Sequence, residues 1–193
     1  MKMRIEKLIR SENSQLFKSL NFLGTETIIN FSKLYEYSIN ALKNKKKIIF
    51  YGNGGSASDS QHLATELVVR YKKNRRAIPA IALTTDNSAI TAISNDFNFK
   101  FIFSRQIEAL GQRGDIAIAL TTSGNSQNLI EAAKLCKKKG VITFCFSGNK
   151  GGKLKKFTRY PIILNSKVAS IIQVIELHLG QIYCGLLEEY TKK

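Results

Sequence analysis

The rhythm of apolar and polar positions changes near residue 47. Before it, apolar residues recur every three to four positions. Ile5, Leu8, Ile9, Leu16, Leu20 and Leu23 predict a helix over 4–23. Ile28, Ile29, Phe31, Leu34, Tyr35, Ile39 and Leu42 predict another over 26–43, with Thr25 or Thr27 as its cap. Both helices are apolar on more than one face, so each should pack against something besides one sheet. From residue 47, short continuous apolar runs alternate with helical patterns. Strands are predicted from 47-KIIFY-51, 77-AIPAIALTT-85, the start of 115-DIAIALTTSGNS-126, 141-VITFCFSG-148 and 160-YPIILN-165. Helices are predicted over 58–71, 87–96, 100–111, 127–140 and 168–190, with one helical turn in GGKLKKF. Strands that are apolar throughout belong to a parallel sheet covered on both faces. The expected architecture is one α/β domain over residues 1–193. It comprises a helical pair at about 4–43, an α/β core at about 47–165 and a C-terminal helix at about 168–190.

The 193 residues are 44% hydrophobic, enough for one folded domain with a substantial core. No apolar run approaches the ~20 residues of a bilayer span, so no membrane segment is expected. The first residues, MKMRIEKLIRSENS, have no apolar leader core or small-residue cleavage site, which points to the cytoplasm. Cys136, Cys145 and Cys184 lie scattered among apolar residues and read as buried free thiols.

The formal net charge is +16, from 30 Lys+Arg against 14 Asp+Glu. A nucleic-acid partner is the first class this suggests. Yet 22 of the 30 are Lys and only eight are Arg, the residue that base and phosphate recognition favours. The runs 43-KNKKK-47, 72-KKNRR-76, 137-KKK-139 and 153-KLKK-156 fall at predicted helix ends or turns. No nucleic-acid-binding motif accompanies them, so they read as a solvated surface.

Candidate chemistry lies where predicted strands end. In a parallel α/β sheet, ligands bind beyond the carboxyl ends of the strands. Two such ends, 52-GNGGSASDS-60 and 121-TTSGNSQN-128, are rich in Gly and hydroxyl residues and lead into helices. Backbone N–H groups at a helix start cradle an anion, and Ser/Thr hydroxyls add donors. Neither loop has the Walker or the GxGxxG pattern. Together they favour a small phosphorylated ligand.

The blocks 52-GNGGSASDSQHLATEL-67, 82-ALTTDNSAITAISNDFNF-99, 103-FSRQIEALGQRGD-115, 121-TTSGNSQNLIEAA-133 and 151-GGK-153 resemble the sugar isomerase (SIS) superfamily. Within it, the resemblance is to the phosphoheptose (sedoheptulose 7-phosphate) isomerase family. It implies a five-stranded parallel sheet flanked by helices, and a homotetramer with active sites between subunits. It implies a substrate phosphate held by Thr121, Thr122, Ser123 and Ser126. The sugar would be lined by Asn53, Gly54, Gly55, Ser56, Asn95, Asp96 and Gln173. His62 and Glu66 stand four apart, on one helix face. The resemblance makes them metal ligands, with Glu66 also the base that moves a proton between C1 and C2 through an enediol. A Zn²⁺ held by His62, Glu66, Gln173 and the residue at 181 is implied as Lewis acid.

The C-terminal helix departs from the family pattern. Gln173 matches, but Val174 replaces a Glu, Glu176 replaces a His, and Gln181 stands where the family has its acid/base His. An amide cannot titrate and is a poor zinc ligand. His178, about one turn earlier, is a candidate stand-in. Two readings follow. One is an isomerase, most directly of sedoheptulose 7-phosphate to D-glycero-D-manno-heptose 7-phosphate, serving heptose synthesis for lipopolysaccharide or capsule. The other is a non-catalytic relative that binds a phosphosugar or a replication-initiation protein.

Overall fold

In β1, Ile48 and Phe50 point to one side of the sheet and Ile49 and Tyr51 to the other, and all four are buried. A strand whose two faces are both covered must be apolar at every position. The computed structural model describes residues 1–191, apart from the side chain of Asn149. The elements run α1 (Lys2–Asn21), α2 (Thr25–Lys43), β1 (Ile48–Gly52), α3 (Gly55–Val68), β2 (Ala80–Ala82) and α4 (Asn87–Asp96). They continue as α5 (Ile102–Leu110), β3 (Ile116–Thr121), α6 (Gln127–Lys139), β4 (Ile142–Ser147), β5 (Tyr160–Ile163) and α7 (Ala169–Tyr190). The strands form the expected five-stranded parallel sheet, in the order β2-β1-β3-β4-β5.

Helices α2, α3 and α7 contribute to the core on one face, where Leu34, Leu63 and Ile175 meet Phe50, Ile118 and Phe146. Helices α5 and α6 cover the other, where Phe103, Ile107 and Ala133 meet Tyr51, Ala117 and Cys145. The chain leaves β1 for β2 on one side and then crosses back past β1 to β3 on the other. The crevice between the ends of β1 and β3 is therefore the topological switch point, where such sheets bind ligands.

Two elements, β2 and α3, depart by three residues from the pattern-based expectation, and the others by at most two. β2 is only three residues long, because it is an edge strand that begins after Pro79, a residue with no N–H for a ladder. α3 starts at Gly55, three residues before the predicted start at 58, since the glycine loop itself forms the first turn. Its other end is closed by Arg75, whose guanidinium donates to the Glu66 and Leu67 carbonyls, both at 2.7 Å. These are among the carbonyls a helix end leaves without partners.

α7 has 22 residues, and its most apolar 18-residue window has mean hydropathy 1.3. One helix thus reaches the length and composition of a bilayer span, contrary to the expectation that none would. Half of that window is buried inside the molecule.

The two-faced character of the N-terminal helices is also visible. Leu16, Leu20 and Leu34 pack on the core, while Ile5, Leu8, Ile9, Phe17, Ile28 and Ile29 are exposed. The three cysteines are free and buried, as expected. Burial pushes the Cys136 and Cys145 thiols up to about 12 and about 11.

Candidate active site

The first loop is shaped by what its glycines avoid. A Cβ at Gly52 would lie 2.7 Å from the Ser56 carbonyl oxygen and 2.8 Å from that of Leu120. Gly54 has φ +57°, in the left-handed region that favours glycine. Gly55 opens α3, and the side-chain amide of Gln173, from α7, lies directly against it.

The second loop closes on itself. Thr121 Oγ1 accepts the Gly124 N–H at 3.2 Å, and Ser123 Oγ accepts the Asn125 N–H at 3.2 Å. The segment after β4 backs it: Leu154 N–H donates to the Gly124 carbonyl at 2.8 Å, and Lys153 N–H to Asn125 Oδ1 at 3.1 Å. Ser126 stands at the N-cap of α6, but its side chain does not accept from that helix. The N-terminus of a 13-residue helix therefore opens onto the loop.

Reciprocal amide bonds join the two loops, with Asn53 Nδ2 3.0 Å from Asn128 Oδ1 and Asn128 Nδ2 2.8 Å from Asn53 Oδ1. Further along α3, helix periodicity brings His62 and Glu66 together. His62 Nε2 lies 3.1 Å from Glu66 Oε1, and Gln181 Nε2 lies 3.4 Å from the same imidazole nitrogen. One ring nitrogen cannot donate to the carboxylate and accept from the amide at once. The contact to Glu66 is the shorter of the two.

The structure thus brings Asn53, Gly54, Gly55 and Ser56 beside Gln173, and His62 beside Glu66 and Gln181. It gathers Thr121, Thr122, Ser123 and Ser126 in one loop. Asn95 and Asp96 lie exposed at the end of α4, where the Asn95 amide bonds Asp96 at 2.9 Å. Among the described residues, their side-chain bond is to each other and not to either loop. His178 is exposed, and the side chain that meets His62 is Gln181 instead. His178 therefore does not stand in for the replaced His.

The expected zinc site is not formed. Among the described residues, no group of three or more His, Cys, Asp or Glu side chains could hold a metal ion. Of the implied ligands His62, Glu66, Gln173 and Gln181, two are neutral amides, and Gln173 packs on Gly55. One imidazole and one carboxylate fall short of a protein zinc site.

One residue of the site was missed as a participant. Glu176 is fully buried, and its carboxyl accepts Ser56 Oγ–H at 3.2 Å and Thr121 N–H at 3.0 Å. Burial raises its pKa to about 8. A lone acidic residue within the apolar run 170–187 was the available signal. Asp59, on α3, also has its pKa raised by burial.

This fold, with two hydroxyl-rich loops at its switch point, defines the SIS domain class, and the profile of the SIS domain matches residues 14–148. Phosphoheptose isomerases align over most of the chain. That of Aquifex aeolicus is 45% identical over 174 residues, covering 86% of this chain and 91% of its own. That of Clostridium acetobutylicum is 40% identical over 189 residues, covering 98% and 95%. The solved phosphoheptose isomerase of Neisseria gonorrhoeae superposes with TM-score 0.89 at 30% identity, covering 96% of this chain and 99% of that one. The chain belongs to the phosphoheptose isomerase family, and it is an enzyme of the isomerase class.

Proposed function

We propose that the protein interconverts sedoheptulose 7-phosphate and D-glycero-D-manno-heptose 7-phosphate. The observation that carries this reading is the Glu66–His62 pair on α3, the helix that begins at one of two coupled loops suited to a phosphorylated sugar. The N-terminus of α6, with the hydroxyls of Thr122, Ser123 and Ser126, takes the phosphate as an anion. Asn53, Gly54, Gly55, Ser56 and Gln173 line the sugar.

Glu66 as carboxylate removes a proton from C1 of the ketose. The C–H electron pair forms the C1–C2 double bond, and the C2 carbonyl oxygen takes a proton, giving the 1,2-enediol. Return of the proton from Glu66 to C2, with loss of the O1 hydroxyl proton, gives the aldose. The oxygen-bound protons need a group that both gives and takes a proton near neutrality. His62 is the imidazole beside Glu66 and is the proposed carrier of these protons. Gln181 holds no proton to transfer and serves as a polar neighbour of His62.

Asn95 and Asp96 stand apart from the loops within one chain. A homotetramer, with active sites between subunits and the exposed apolar residues of α1 and α2 buried in its interfaces, would give them a place. Elution at four times the chain mass is the expected result by light scattering.

The test is proton NMR of sedoheptulose 7-phosphate with the purified protein. Anomeric signals of the aldose product are expected, and their absence while the ketose still binds would leave a binding protein instead.

A further inference from the structure

Glu176 lies on the buried face of α7, with its two carboxyl oxygens on different loops. Oε2 receives Ser56 Oγ–H at 3.2 Å, at the start of α3, and Oε1 receives Thr121 N–H at 3.0 Å, where β3 ends. Ser56 and Thr121 are themselves buried. We propose that Glu176 is a positioning residue that fixes the distance between the sugar loop and the phosphate loop, and so sets the affinity for the phosphorylated sugar. This rests on the reading of the two loops as one substrate site.

Burying a carboxyl group is unfavourable unless it satisfies neighbours that would otherwise lack partners. Thr121 N–H needs an acceptor at its buried position. None of the ion pairs among the described residues includes Glu176. The titratable groups that face it are Asp59 on α3 and the Cys145 thiol on β4. Neither favours the ionised form, and burial holds the carboxyl neutral to about pH 8. The resemblance expects a His here. A neutral imidazole has one acceptor and one donor nitrogen on a rigid ring, whereas the carboxyl sets one oxygen against each loop. In this chain the tie across the two loops is made by Glu176.

Three full-length proteins test it: wild type, Glu176→Leu and Glu176→Gln. Gln keeps an oxygen for Thr121 N–H and an amide that can donate to Ser56 Oγ. The readouts are Kd for sedoheptulose 7-phosphate and for inorganic phosphate by calorimetry, together with KM and kcat. For Glu176→Leu, Kd and KM should rise about tenfold while kcat stays within about threefold, the size expected from losing one or two hydrogen bonds. Glu176→Gln should stay within about threefold of wild type on every measure. Unchanged Kd and KM in Glu176→Leu would overturn the inference. So would an equal loss of kcat in both variants with Kd preserved.

If Glu176→Leu does not fold, the wild-type protein carries the test. Ionisation of Glu176 places a negative charge behind the phosphate loop, so Kd should rise as pH passes about 8, with the Thr121 amide resonance moving over the same range. The ligand phosphate, with a second pKa of about 6, is already a dianion there. A flat Kd from pH 7 to 9 would overturn the inference. Wild type that binds neither ligand would bring down the two-loop site itself, and this inference with it. Wild type that binds both, with Glu176→Leu equally tight, would place the fault with Glu176 alone.

Discussion

Asn53 and Asn128 hold each other by both ends of their side-chain amides, at 3.0 and 2.8 Å, across 75 positions of sequence. One sits just past β1 and the other in the first turn of α6. The crevice at the switch point is thus held by side chains as well as by the sheet beneath it. Asn128→Ala removes both bonds and leaves the half-buried Asn53 amide without them. It should cost about 1–3 kcal/mol of stability. KM for the phosphosugar should rise, with kcat changed less. Urea unfolding and steady-state kinetics check the two effects, and an unchanged KM would separate this pair from substrate binding.

Much of this arrangement could be read before any coordinates. The apolar runs at 48–51 and 116–120 mark buried strands because both of their faces are covered. Gly52, Gly54 and Gly55 mark a loop where backbone must approach backbone. His62 and Glu66 meet because four residues make about one helical turn. What could not be read depends on contacts between distant elements. Nothing in the spacing of α7 says whether His178 or Gln181 turns toward His62. The role of Glu176 arises only when α7 packs where α3 begins and β3 ends. α3 begins earlier than its spacing predicts because glycine disfavours helix on propensity, while Gly55 here packs against Gln173.

Glu66→Gln tests the proposed base without disturbing the fold. The amide keeps the shape of the side chain but cannot accept a proton from carbon. A general base contributes about 10²–10⁴-fold to rate, so kcat should fall by that range. The His62–Glu66 contact is partly exposed, with side-chain accessibilities of 47% and 20%. Its loss should cost no more than about 1 kcal/mol. Thermal unfolding should therefore change little while turnover collapses. Retained turnover would move the base elsewhere.

Glu176 should also make stability depend on pH. Its pKa in the folded protein, about 8, lies above its ordinary value of 4.5, and burial is the main cause. Between these values the folded chain holds a proton that the unfolded chain has released. The stability linked to that proton is complete below about pH 4.5, declines as pH rises, and is lost once pH passes 8. The loss should be on the order of a few kcal/mol. Glu176→Gln cannot ionise, so this decline should be absent from it. Urea unfolding of both proteins at pH 5, 7 and 9 measures the difference. Parallel profiles would show that the carboxyl does not change its charge on folding.

Gly52 and Gly55 should respond differently to alanine, although they sit three residues apart on one loop. At Gly52 the new methyl group would press on the Ser56 and Leu120 carbonyl oxygens, at 2.7 and 2.8 Å. Both are backbone atoms, one in the first turn of α3 and one in β3, so relief requires the helix and the strand to separate. Gly52→Ala should cost about 1–3 kcal/mol, the usual range for overpacking. At Gly55 the methyl group would meet the end of the Gln173 side chain, which can swing away. Gly55→Ala should cost less than about 1 kcal/mol, and the helix preference of alanine offsets part of that. Its effect should fall on the ligand instead, because Gln173 would leave the position proposed for it against the sugar. A raised KM with near-normal stability is expected for Gly55→Ala, and a marked loss of stability for Gly52→Ala. Equal stability in the two variants would mean that the ends of β1 and β3 can part more easily than the Gly52 contacts imply.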